Sequence, residues 1–382
     1  MKAYNKEKQG RKRKQEENFD YGLVTVVVFM LSLGLVMLYS ASYYNVGMGY
    51  VKKQLFFSAI GFVVIYVVSK IDYHYYAPFI KLIYVASLIL MALVRTSIFG
   101  REANGSQRWL KLPGLPQFQP SELAKIAVIL FLAGLICTMG KEICTKKGKA
   151  KILGGGLVAA VSVFVFTDNL STAVIVAGIT FIMFIVAHPN GKKYAAVGGI
   201  IGGILYFGMW ILGHFLENTG QFRLQRIIAW VDPEKYAQSE AFQTMQGFYA
   251  IGTGGWIGKG LGNSAQKMIL PEPQNDMILA IICEEFGIVG LIVILALFGF
   301  LLYRLLHIAR KAPDLFGSLI VTGIFAHIAI QVVLNVAVIL NVIPTTGITL
   351  PFFSYGGTSF LFLMGEMGIA LNVSRKIKIH DK

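Results

Sequence analysis

An aspartate stands where a turn-rich segment gives way to a long apolar run. In Leu270-Pro-Glu-Pro-Gln-Asn-Asp276 the prolines punctuate the chain, and the apolar residues begin straight afterwards. Asp276 would sit in the first turn of a helix, where the helix dipole favours a carboxylate. Alone, it reads as a capping acid. Its neighbours widen the reading. Glu272 lies four residues upstream, and Glu284 and Glu285 would lie ~12 Å deeper at a rise of 1.5 Å per residue. Acids carried into apolar helices are costly and mark candidate functional positions. A carboxylate so placed could take a proton from a reacting hydroxyl.

Basic groups cluster at what would be the same level. Pro120-Ser-Glu-Leu-Ala-Lys125 opens another apolar run, with Glu122 and Lys125 on one helix face at i, i+3. Arg108 and Trp109 precede it. Arg223 and Arg226 begin a long polar stretch, and Asp168 separates two apolar runs. The bland readings are interfacial anchors and ion pairs; the functional one is a cationic clamp for an anionic headgroup, since guanidinium suits phosphate geometry. Glycines 252, 254, 255, 258, 260 and 262 surround Lys259. Thr253 and Gly260 break the nucleotide-loop spacing, which leaves turn glycines or a backbone cradle for a lipid-linked phosphate. Ser354 and Tyr355 belong to Pro344–Ser359, a Pro- and Gly-rich outer hairpin. His327, Gln331 and Asn335 recur every four residues, the pattern of hydrogen bonds between membrane helices.

The elements that must hold these groups are membrane helices. The chain has 382 residues, of which 55% are hydrophobic and 14% charged. A soluble domain carries about a quarter charged residues. Apolar runs predict about ten spans, near 21–43, 54–70, 76–95, 119–139, 152–167, 171–187, 194–216, 276–304, 316–342 and 357–373. The fold class expected is therefore all-α and polytopic, with a large extracellular loop, 217–275, between helices 7 and 8 that folds onto the membrane surface. The fifth and sixth runs read either as a tight hairpin or as a broken re-entrant pair. Residues 1–20 read as a disordered basic cytosolic tail, 21–373 as one transmembrane domain and 374–382 as a cytosolic tail. Lys and Arg concentrate on the side of the termini, which predicts both termini in the cytosol. The net charge of +15 follows from that bias and from basic flanks that attract anionic membrane lipids, so no nucleic-acid partner is expected. Cys137, Cys144 and Cys283 form neither a disulfide framework nor a zinc site, and the histidines show no metal-ligand spacing.

Taken in order, several stretches resemble the SEDS family (shape, elongation, division and sporulation), the family of FtsW, RodA and SpoVE. They are Tyr39–Ser42, Gly105–Trp109, Gln119–Lys125, Arg223–Pro233, Gln243–Ser264, Leu270–Gly287 and Pro344–Ser359. Gly260–Ser264 followed by Gln266-Lys267 looks most like the division and sporulation branch. Met277 and Leu279 replace phenylalanines usual in the family, and Thr-Asp-Asn-Leu-Ser-Thr around Asp168 departs from its commoner form.

The resemblance implies a peptidoglycan glycosyltransferase of the bacterial cell membrane that polymerises lipid II outside the membrane during cell division. Asp276 then maps to the family's essential aspartate, and Arg108, Glu122 and Lys125 to its arginine, glutamate and lysine. We expect Asp276 as general base, with Arg108, Glu122, Lys125, Asp168, Arg223, Arg226, Lys259, Glu272, Ser354 and Tyr355 binding substrate as undecaprenyl pyrophosphate leaves. A divalent cation (Mg2+ or Mn2+) could assist, although no dedicated metal site is visible. The partners implied are a class B penicillin-binding protein, which is a transpeptidase, and other division proteins. The alternatives are a lipid II flippase, which the buried glutamates keep open, and a non-catalytic scaffold for the transpeptidase.

Overall fold

The computed structural model describes residues 19–103, 106–114, 116–216 and 222–377, without the side chains of residues 45, 103, 106, 222 and 223. Of the tails assigned to 1–20 and 374–382, residues 1–18 and 378–382 lie outside the described residues. The elements are α1 (Tyr21–Val46), α2 (Gly49–Lys70), α3 (Ile80–Leu93, entered through a 3-10 stretch, Tyr73–Phe79), β1 (Gly100–Ala103), β2 (Ser106–Leu110), α4 (Pro120–Met139) and α5 (Lys146–Thr167). They continue with α6 (Leu170–Ala187), α7 (Gly191–Phe215), α8 (Phe222–Val231), α9 (Phe242–Gly254), α10 (Ile278–Lys311), α11 (Leu315–Ile339) and α12 (Gly357–Arg375).

Among the described residues, nine helices are long and apolar enough to cross a membrane. The tenth, α12, is shorter and carries Glu366 and Arg375. Its 19 residues still reach ~28 Å, about the hydrocarbon thickness. The Arg375 guanidinium lies 5.9 Å from the Phe19 ring, so both described chain ends meet at one end of the bundle. That return requires an even number of crossings.

The helices form where uninterrupted apolar sequence meets a capping side chain. Asp20 accepts from Leu23 N, Thr145 from Gly148 N, Asn169 from Thr172 N and Asp314 from Gly317 N. Each satisfies a backbone donor that a helix start leaves open. Helices α4 and α11 form the buried centre; α11 packs on α4, α6 and α10, and α12 packs along α2. α7 packs mainly on α6 and α8 and turns much of its apolar surface outward, as lipid contact requires.

One open choice of the sequence reading is decided, and three features depart from it. Of the two options for the fifth and sixth runs, the hairpin holds: α5 and α6 are both of spanning length, and Asp168 makes the reversal at φ 49°. Residues 100–103 and 106–110 pair as antiparallel strands, with Arg101 opposite Trp109. The 217–275 region contains two helices, and α9 packs on α10. Finally, α10 is broken at Gly287, whose φ of 64° interrupts the helix.

Gly287 creates a socket. Around it, Lys259 N donates to Glu284 O and Gly260 N to Glu285 O, while Ile288 N and Val289 N donate to Gly255 O and Trp256 O. The glycine-rich loop thus satisfies the backbone groups that the break exposes, a condition for irregular chain at membrane depth. A Cβ at Gly258 would lie 2.2 Å from Glu285 O, and one at Gly287 2.4 Å from Trp256 O, so two backbones meet where only glycine fits.

Candidate functional site at the end of the bundle opposite the termini

Pro271 and Pro273 keep residues 271–277 from extending α10 upstream, and Glu272 takes a left-handed conformation at φ 52°. The resulting turn is fastened at three successive carbonyls. Tyr355 N donates to Gln274 O at 2.9 Å, Ser354 Oγ to Asn275 O at 2.6 Å and Asn335 Nδ2 to Asp276 O at 2.9 Å. The donors are tied in turn. Asn335 Nδ2 also donates to Ile348 O, Ser354 Oγ accepts from Leu350 N, and Gln331 Nε2 donates to Thr349 O. Segment 344–356 is therefore a strap that fixes the backbone beneath Asp276. Gly347 faces the acid itself: a Cβ there would stand 3.9 Å from Asp276 Oδ2.

Asp276 lies just before α10 rather than within its first turn. Burial pushes its carboxyl above the usual carboxylate range. Its own N–H, the Arg226 guanidinium and the Met277 N–H pull the other way, and Glu272 adds to the rise. Burial is also the main influence that lowers Arg226, with nearby Arg108 adding to it and Asp276 opposing it. These groups share one electrostatic neighbourhood. Arg226, on α8, donates to Thr345 O of the strap at 3.2 Å. Arg108, from β2, reaches Asp168 O at 3.4 Å.

The other residues named from sequence are held in five separate places. Glu122 and Lys125 form an ion pair of 2.9 Å at the start of α4, with the lysine buried. Asp168 pairs with Arg95 at 2.9 Å, a partner that sequence reading did not identify. Ser354 and Tyr355 hold the turn through the bonds given above, and Tyr355 packs edge-on against Tyr50 at 4.7 Å between ring centres. Lys259 sits apart in the glycine socket, its ammonium 2.6 Å from Glu284 Oε1. Arg223 lies on α8, and its side chain is outside the described set.

The missed contributors are Asn335, Gln331 and the strap carbonyls. Their signal was the four-residue stripe on α11, which reads only as helix–helix glue until its partners are known. One stripe serves three elements: His327 pairs with Glu366 of α12 at 2.8 Å, while Gln331 and Asn335 hold the strap and the Asp276 turn.

The deeper glutamates make a closed cluster. Glu284 accepts from Lys259 Nζ, Ser264 Oγ, Ala265 N and Gln266 N, and Glu285 from Ser40 Oγ at 2.5 Å, with Lys267 Nζ at 3.5 Å. Among the described residues, no group of three or more His, Cys, Asp or Glu side chains is placed to hold a metal ion.

Fold and site together define a polytopic helical membrane protein with a carboxylate held among guanidinium groups at one end of its bundle. The chain belongs to the FtsW/RodA/SpoVE family, whose model, described as "Cell cycle protein", matches residues 21–379. It is 37% identical to stage V sporulation protein E of Bacillus subtilis over 93% of this chain and 97% of that protein. It is 34% identical to a probable peptidoglycan glycosyltransferase FtsW of Trichlorobacter lovleyi, covering 94% of each. Among solved structures, a chain from a study of how a peptidoglycan synthase complex coordinates polymerization and crosslinking superposes with a TM-score of 0.79. The two are 28% identical, over 95% of this chain and 99% of that one. Thermus thermophilus RodA matches with a TM-score of 0.68 and 27% identity, over 95% and 98% of the two chains.

Proposed function

We propose that this chain is a peptidoglycan glycosyltransferase of the cytoplasmic membrane that polymerises lipid II in cell division. Its relatives carry that activity in their names. The observation that carries the chemical reading is the Asp276 turn: a carboxyl raised by burial, fastened through three successive carbonyls, and faced by Arg226.

Glycan growth needs a base for the attacking sugar hydroxyl and positive charge for a departing pyrophosphate. In this reading Asp276 takes the proton from the acceptor's GlcNAc 4-hydroxyl. That oxygen bonds to the donor's anomeric carbon as the bond to undecaprenyl pyrophosphate breaks. A base raised toward neutrality transfers protons more effectively than an ordinary carboxylate. Arg226, with Arg108 beside it, is the cation coupled to Asp276, and fixed charge aimed at a developing phosphate acts in the transition state. Arg223 belongs to the same helix as Arg226. Glu122 orients Lys125, and Asp168 orients Arg108 through its carbonyl. Mg2+ or Mn2+ would suit the hard oxygens of pyrophosphate, with Asp276 and Glu272 the acids present to meet it.

The site faces the outside, with both termini in the cytosol, as the distribution of Lys and Arg supports. A class B penicillin-binding protein would crosslink the strand made here; the match to a chain from a synthase complex that couples polymerization to crosslinking supports such a partner. The test is lipid II polymerisation by the purified chain with and without that transpeptidase, in wild type and Asp276→Asn. Glycan polymer at wild-type rate from the variant would reject the base assignment. Movement of labelled lipid II across liposomes without polymer would favour a flippase.

A further inference from the structure

Helix α9 presents two opposite sides. Thr244, Gly247, Ala250 and Gly254 are buried, and this side lies on α10. A Cβ at Gly247 would stand 4.0 Å from Met277 Sδ, and one at Gly254 2.0 Å from Cys283 O. Phe242, Met245, Gln246 and Tyr249 follow the i, i+3, i+4, i+7 spacing of the other side. With Ala237 and Gln238 they line a cleft of about 440 Å³. Ala237 and Gln238 are held in a turn closed by bonds from Ala237 N to Glu234 O, Ser239 N to Tyr236 O and Phe242 N to Ser239 O. Met277 directly follows Asp276, so the cleft lies across α9 from the candidate site, one helix diameter (~10 Å) away.

Among the described residues, no Lys, Arg, His, Asp or Glu lines the cleft. Its polar groups are uncommitted. Among the described residues, the side-chain amides of Gln238 and Gln246 and the Tyr249 hydroxyl make no hydrogen bond with another protein group. Each amide offers two donors and a carbonyl acceptor, and the phenol adds a further donor and acceptor. Phe242, Met245 and the Tyr249 ring supply apolar surface between them.

That lining selects a ligand class. A phosphate would find no cation in it, and an acyl chain would leave two amides and a phenol unpaired, which is costly. A neutral sugar ring meets both halves: its C–H faces rest on aromatic rings, which combine apolar area with a polar edge, while its hydroxyl and acetamido groups pair with the glutamines. The volume falls within the ~300–1,000 Å³ of small-molecule sites. We propose that this cleft is a carbohydrate subsite holding N-acetylated sugar rings of the polymerised strand beside Asp276. The class of ligand comes from the lining; its identity as the strand rests on the glycosyltransferase reading of Asp276. A strand tethered there stays at high effective concentration for the next addition.

The test uses the full chain in nanodiscs, with chitotetraose, a lipid-free oligomer of N-acetylglucosamine, as the probe. Binding is followed by saturation-transfer NMR, which needs no turnover. We expect transfer to the sugar protons and an affinity about fivefold weaker in Gln246→Ala, weaker again in the pair with Gln238→Ala. These changes break no hydrogen bond within the described protein, and an unchanged melting midpoint certifies the fold. In lipid II reactions compared at equal substrate consumption, the pair should yield shorter strands than wild type. Absence of chitotetraose binding, binding that the pair leaves intact, or equal binding of maltotetraose, which lacks acetamido groups, would overturn the subsite. Polymer made by a chain that does not bind chitotetraose rejects the cleft alone. Binding that the pair weakens, in a chain that makes no polymer, rejects the transferase reading and keeps the cleft as a sugar site.

Discussion

Two groups of carboxylates near α10 contrast sharply. Glu284 and Glu285 are fully buried. Both Glu284 oxygens are spent on Lys259, Ser264 and backbone N–H groups of one folded loop, and Glu285 Oε1 takes Ser40 of α1 and Lys267, while Glu285 Oε2 has no hydrogen-bond partner among the described residues. Asp276, some eight residues earlier, has its backbone fastened as tightly, yet among the described residues its carboxylate takes its own and Met277's N–H and faces Arg226 across the site. Satisfied acids hold structure together. An acid whose frame is rigid but whose head remains available is arranged for chemistry. Both arrangements use carboxylates on one stretch of chain, so the distinction lies in where the hydrogen bonds go.

The contrast is most severely tested at Asp276 itself. Asp276→Asn should lower lipid II polymerisation about 10²–10⁴-fold while the melting midpoint stays near wild type. A large fall in stability without specific loss of turnover would assign Asp276 to the structural group. Glu284→Ala should do the opposite. It strands Lys259 and three loop donors, and breaking a buried pair costs ~3–5 kcal/mol, toward the low end here because Lys259 is one-third exposed. Chemical denaturation in detergent reads that loss.

Gly287→Ala probes the same socket more gently. A left-handed φ and a backbone oxygen where the Cβ must go should cost ~1–3 kcal/mol. Wild-type stability there would mean that the loop is not clamped against the break.

The smallest effects are shifts of the pH–rate profile. The base works ionised, so activity falls as pH drops through the Asp276 pKa. Arg226 holds that pKa down, so Arg226→Gln should move the acidic limb to higher pH. Glu272 pushes it up, so Glu272→Gln should move the limb to lower pH. Shifts in the same direction would break the electrostatic assignment.

Much of this was legible in the residues. Long apolar runs separated by charge specify membrane helices, because lipid leaves the backbone few other ways to satisfy itself. The ordered motifs around Arg108, Lys125 and Asp276 announced the family. What could not be read were partners between residues far apart in the chain. Lys259 was grouped with the substrate because its glycines resemble a phosphate cradle, whereas its charge is taken up by Glu284, 25 residues away. Asn335 looked like helix glue because its bond to Asp276 O spans 59 residues. Local sequence carries the preference of each segment for helix, turn or interface. Which of several similar acids is clamped and which is left available is decided only when the strap, the α11 stripe and the glycine loop close over them, since burial and hydrogen bonding belong to the assembled bundle.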